Sequence, residues 1–177
     1  MSEPDANGGA QRLVDALAEP AHREEALREL GALGPAAREA VRAGLGDGRW
    51  EIRRGCVLWL LRHPRAEDLS ALLPLLRDPR SKVRHAAALA IAIAHGAGRE
   101  SEVVPPLVER ALHDESPRVR RQAVALLAWQ LPSSDLEGFF AGLLESERDP
   151  SLLRFARMGV HRCRERAARS DPEGSRC

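Results

Sequence analysis

The chain reads as all-α, a solenoid of about five antiparallel helix pairs, on three observations. One motif recurs as LGDGRWEIRR (45–54), LRDPRSKVRH (76–85) and LHDESPRVRR (112–121), with starts 31 and 36 residues apart; a period in that range marks a stacked-repeat protein. Each copy sets an aspartate five residues before an aliphatic–arginine pair: Asp47 with Ile52 and Arg53, Asp78 with Val83 and Arg84, Asp114 with Val119 and Arg120. Between the copies, short apolar runs recur at helical spacing and none alternates as a strand would.

The elements follow in order. Residues 1–10 hold Pro, Gly, Asn and small side chains and read as a disordered tail. A single repeat domain then spans 11–167. Its first pair is expected over 11–18 and 21–32, ending at Gly31 and Gly34. Pro35 suits the first turn of the next helix, which runs to Leu45; its partner covers 49–62 and stops at His63–Pro64. The third pair is 67–77 and 81–95, closed by Gly96, Ala97 and Gly98. The fourth is 100–113 and 117–131, where Ser116 before Pro117 has the chemistry of a cap and first turn. The fifth is 134–145 and 150–167, and 168–177 reads as a flexible tail.

These copies resemble HEAT-like repeats. The matching residues are the Leu-x-Asp that ends a first helix and the Asp-x4-Val/Ile-Arg that opens a second. A small-residue run follows, Ala87, Ala88, Ala90 and Ile91 in one copy and Ala123, Val124, Leu126 and Leu127 in the next. Pro74 and Pro105–Pro106, inside first helices, are similar too. Three copies over roughly 35–131 carry the resemblance. The flanks depart from it: Glu24–Glu25 stand where the aliphatic–arginine pair would be, and downstream Leu152 takes the aliphatic place with Leu153 instead of arginine. Outer units of such arrays act as caps. The resemblance implies a right-handed solenoid whose second helices line the concave side. Its functional implications are broad, since HEAT-like units serve in scaffolds, in bilin lyases that load pigments onto light-harvesting proteins, and in relatives that bind DNA.

Composition narrows the classes. Hydrophobic residues at 44% with 30% charged suit a globular chain, and stacking on Ala, Leu and Val accounts for only 3% aromatics and no Tyr. A net charge of +1 implies no bulk attraction to nucleic acid or anionic membrane. The N-terminal stretch has no apolar core that would make it a signal peptide, and no apolar run approaches the ~20 residues of a membrane span. Cys56, Cys163 and Cys177 are an odd number without pairing logic, so a cytoplasmic location with reduced thiols is expected.

The patterned charges, Asp47, Arg53, Asp78, Arg84, Asp114 and Arg120, are expected to be structural. The aspartate can accept free N–H groups at the start of the second helix. The arginine, one position past a core residue, can reach the aspartate of an adjacent unit and form a ladder, a role that resembles these residues' part in HEAT arrays. Carboxylates such as Glu67–Asp68 and Glu147–Asp149 are expected in solvated turns.

A partner-binding surface is expected opposite the core. Counting the aliphatic residue as zero, 100° per residue groups offsets 0, 4, 7, 8 and 11 as core and points offsets 2, 6 and 9 away from it. Offset 2 gives a basic stripe, Arg54, His85, Arg121 and Arg154. Offsets 6 and 9 give a mostly apolar stripe, Leu58, Leu61, Leu89, Ala92, Ala125, Ala128 and Met158, ending at His161. A solvated face would be polar, so the pairing suits an amphipathic or acidic helix or peptide along the concave face; burial against neighbouring second helices is the competing expectation. Trp129 and Trp50 fall at the edges, and Trp59 in the core.

No catalytic constellation emerges. The six histidines lack metal-ligand spacing, Cys56 reads as a core packer, and no glycine-rich loop precedes a lysine to cradle phosphate. The sequence therefore reads as a non-catalytic protein-interaction scaffold without cofactor or metal. Pigment handling like that of bilin lyases would lean on His85 and His161. Nucleic-acid binding would lean on Arg54, Arg121 and Arg154, against a pI of about 7.9.

Overall fold

The computed structural model of the chain describes residues 3–95, 98–131 and 133–170, and these contain helices and no strand. They form two compact units, Met1–Arg99 and Glu100–Cys177, where the sequence reads as one domain over 11–167. The division falls at the Gly96–Ala97–Gly98 stretch, of which Gly98 holds a φ of 86° open to glycine. Gly96, Ala97 and the tail beyond residue 170, Cys177 included, lie outside the described residues.

The first unit holds α1 (Glu3–Ala16), α2 (Arg23–Leu33), α3 (Arg38–Gly44), α4 (Trp50–Arg62), α5 (Leu69–Leu72) and α6 (Ser81–Ala94). Helix α1 begins within the stretch expected to be a tail. Ala10 and Val14, four residues apart and both fully buried, anchor it, and helix already nucleated extends at little cost. Helix α2 runs through Gly31 and ends at Leu33; Gly34, at φ 58° and ψ −131°, takes a setting that favours glycine and donates its N–H to the Gly31 carbonyl. Pro35 and Pro74 leave 3-10 turns, Gly34–Ala37 before α3 and Leu73–Arg77 after α5, because proline withholds a backbone donor.

Helix α1 packs on α2, α3 and α4, while α4 lies beside α6, which α5 and its 3-10 continuation cover. Glycine permits the closest approaches. A Cβ on Gly44 would lie 2.6 Å from the Cys56 sulfur and 2.8 Å from Val14, and one on Gly55 2.9 Å from Leu17.

The second unit holds α7 (Glu100–His113), α8 (Pro117–Trp129), α9 (Glu137–Ser146) and α10 (Pro150–Ser170). Helix α7 accommodates Pro105 and Pro106 in its interior. It packs on α8, α8 lies beside α10, and α9 covers α10. Phe140 is fully buried, and a Cβ on Gly159 would come 2.6 Å from its ring.

The core positions counted from the repeat are buried in both units. Ile52, Val83, Val119 and Leu152 at offset zero, and Cys56, Ala87, Ala123 and Ala156 at offset four, are 2% exposed or less. Leu152 thus fills the aliphatic place in the last pair. Burial pushes the Cys56 thiol up to about 12 and raises that of Cys163, so neither is an accessible thiolate.

Candidate functional site

The patterned charges hold the turns between helices. Asp78 is the clearest case. Its Oδ1 accepts the Arg80 N–H at 2.8 Å, while the Arg53 guanidinium donates at 2.6 and 3.1 Å to the two carboxylate oxygens. Arg53 also donates to the carbonyls of Asp47 and Gly48 at 2.8 and 3.0 Å. One guanidinium therefore ties the turn of its own repeat to the aspartate of the next, as a rung of the expected ladder. Arg84 and Arg120 grip their own turns, at 2.8 Å from the Asp78 carbonyl and 2.9 Å from that of Asp114.

The aspartates act slightly outside the helix they introduce. Asp47, Asp78 and Asp114 each accept the N–H of the residue two further on, Arg49, Arg80 and Ser116, which are the N-caps of α4, α6 and α8. Ser116 has extended backbone, but its side chain makes no cap bond; its N–H is held by Asp114 instead. This corrects the expected serine cap. In the last repeat Glu147 stands five residues before Leu152 and accepts the Asp149 N–H at 3.0 Å. The bonds from Asp149 and Arg148 hold its carboxyl below the ordinary value, and Arg120 adds to this. The side-chain bond from Arg49, then its N–H, does the same for Asp47.

A second charged cluster has no counterpart in the repeat pattern. Asp68, expected in a solvated turn, is fully buried. Arg38 donates to its Oδ2, and Arg42 Nε donates to its Oδ1 at 2.7 Å. Arg38 also donates to the His63 carbonyl at 2.8 Å and lies over the Trp59 ring, on which the His63 ring stacks. A carboxylate can be buried because two guanidiniums neutralise it. The only hint in the sequence is that Arg38 and Arg42 lie four apart, on one face of α3.

The outward stripes can be placed in each unit. In the first, Arg54, Leu58 and Leu61 on α4 and His85 and Leu89 on α6 are half-buried. In the second, Arg121 and Trp129 on α8 and Arg154 and His161 on α10 are exposed, with Met158 half-buried. His161 lies 3.4 Å from Glu165. One part of the expected stripe is wrong: Ala92 and Ala128, at offset nine, are buried. Offset five, at 140°, is buried as well, at Val57, Ala88 and Val124, so the buried arc reaches round to offset nine at 180°, where a side chain as short as alanine lets neighbouring elements close over it. The open stripe shifts to offset ten, where Ile93 is 44% and Trp129 55% exposed. Arg162, absent from the expected surface, occupies the same offset on α10 and lays its guanidinium 5.0 Å from the Trp129 ring centroid. Trp50 is half-buried beneath Lys82.

Among the described residues, no group of three His, Cys, Asp or Glu is placed to hold a metal ion, and no helix is long and apolar enough to cross a membrane. Paired helices, a repeated buried position and charges spent on turns define a helical-repeat protein of the α-solenoid class. Residues 10–92 match the HEAT repeat family. The fold is similar to the crystal structure of an engineered protein, a structural-genomics target, at a TM-score of 0.60 and 18% identity, covering 89% of this chain and 80% of that one. At that identity the likeness concerns the fold alone. No match is found among the curated proteins. HEAT repeats commonly serve as protein-interaction scaffolds and are generally not catalytic.

Proposed function

We propose that the chain is a non-catalytic scaffold whose second helices take an amphipathic or acidic helix or peptide along their outward stripes. In the first unit these are Arg54, Leu58, Leu61, His85 and Leu89, and in the second Arg121, Trp129, Arg154, Met158 and His161. The observation that carries the reading is Trp129. An indole 55% exposed, in a stripe that solvation alone would make polar, is a large apolar surface held ready for contact. A cytoplasmic location goes with this reading, since Cys56 and Cys163 are buried free thiols.

The test is capture from native lysate by wild type and by Arg121→Glu/Leu89→Asp, with circular dichroism to check the fold. A partner kept by wild type and lost by the variant supports the reading. Equal capture by both moves binding to the first helices.

A further inference from the structure

We propose that the anion-reading part of this scaffold is the outward face of α8 and α10, and that it receives a short acidic polypeptide segment centred on Trp129 and Arg162. The proposal rests on the scaffold reading and names its partner's chemistry and place.

Charge in the second unit is sorted by helix. Helix α10 carries six arginines against Glu165, and α8 three arginines and no acid, while α9 carries two glutamates and no base. The overall charge of +1 hides this. Arg164 is neutralised by Glu137 at 2.6 Å. Arg118, Arg121, Arg154, Arg157 and Arg162 make no ion pair with a carboxylate among the described residues. Five guanidiniums without an ion-pair partner, offset only by Asp149 near Arg121, repel one another across two adjacent helices, and an incoming anion relieves that repulsion.

The face is also shaped. Arg121 bears electrostatically on Asp149 at the start of α10, and Arg162 lies over Trp129 at the far end of α8. The two helices therefore run parallel and in register, with Arg121, Ala125 and Trp129 alongside Arg154, Met158 and Arg162. A guanidinium stacked on an indole keeps its N–H edge in a fixed plane, suited to a carboxylate, and that prior ordering lowers the cost of binding. Ala125 and Met158 offer apolar contact beside it. From offset two to offset ten the patch runs about 12 Å. Glu115, Glu147 and Asp149 precede it at the N-terminal ends of the two helices. A nucleic-acid track with about six to ten phosphate contacts would have to cross those carboxylates; a short acidic segment with one aliphatic side can stay on the C-terminal side of them.

The test titrates the full chain against three labelled probes by fluorescence anisotropy: a helical peptide of glutamate and leucine, its lysine counterpart, and oligothymidine. The expected result is binding of the glutamate peptide above both others. It weakens about tenfold in Trp129→Ala and in Arg162→Gln and is unchanged in Leu112→Asp, an exposed leucine on α7 away from the face. Circular dichroism checks that each variant is folded. Absence of binding by the glutamate peptide overturns the proposal, as does equal affinity in Trp129→Ala and Arg162→Gln. Tighter binding of oligothymidine through the same two residues overturns it in favour of nucleic acid. Peptide binding lost in Leu89→Asp but kept in Trp129→Ala leaves the scaffold reading standing and this assignment refuted.

Discussion

The two units use the same residue type in opposite ways. In the first, arginine is paired with carboxylates, Arg38 and Arg42 on buried Asp68 and Arg53 on Asp78, with Arg49 on Asp47 and Asp15 and Arg62 on Glu24 at the surface. In the second, Arg110 and Arg164 pair with carboxylates, whereas the second helices present Arg121, Arg154 and Arg162 outward around an exposed tryptophan. The difference teaches that a repeat motif fixes only the charges at the turns. Those on the open stripe are free to differ between repeats, and that is where recognition can be written.

The largest expected effect lies in the first unit. Asp78→Ala leaves Arg53 half-enclosed without its carboxylate and lowers stability by about 3–5 kcal/mol, read by urea unfolding. The matching change in the second unit, Glu147→Ala, loses its bonds from the Arg148 and Asp149 N–H groups at a half-buried site and costs about 1 kcal/mol; equal losses would break the contrast. Next come two glycines of the second unit. Gly159→Ala meets Phe140 and costs about 1–3 kcal/mol. Gly138→Ala, with nothing within 4 Å of its Cβ, is neutral or gains up to about 1 kcal/mol of helix propensity.

Smaller effects come from pH. Asp47, Glu147 and Asp149 all titrate below their ordinary values when folded. Their contribution is present above the unfolded carboxylate value of about 4 and fades as pH falls through the lower folded values. Both units should lose it together, followed by thermal unfolding. Cys56, raised from 9.0 to about 12, acts with the opposite sign. Its contribution is complete below 9.0 and is lost as pH rises toward about 12, and Cys56→Ala should flatten that alkaline decline.

Much of the scaffold was legible in the sequence because it repeats. Asp78 and Arg53 could be paired from spacing alone, and the buried line Ile52, Val83, Val119 and Leu152 follows from the motif and helical geometry. What did not repeat stayed hidden. Asp68 sits in a turn like other acids, and its burial comes with Arg38 and Arg42 of α3 reaching its carboxylate. Ala92 and Ala128 lie at 180°, next to the buried offset-five residues Val57, Ala88 and Val124, on a side that the count from offset zero places outside the core. Arg162 lies at offset ten from Leu152, outside offsets 2, 6 and 9 that helical geometry points away from the core. The start of α1 was obscured by small residues that say little until Ala10 and Val14 are packed.

The contrast between the units is tested most directly by urea unfolding of Arg53→Gln beside the triple variant Arg121→Gln/Arg154→Gln/Arg162→Gln. Arg121, Arg154 and Arg162 make no ion pair with a carboxylate among the described residues, so substituting them should leave the midpoint within about 0.5 kcal/mol per site of wild type, while the single change at Arg53 lowers it well beyond that. A triple variant as unstable as Arg53→Gln would show that the outward arginines also hold the fold, and would remove the ground for reading them as a binding face.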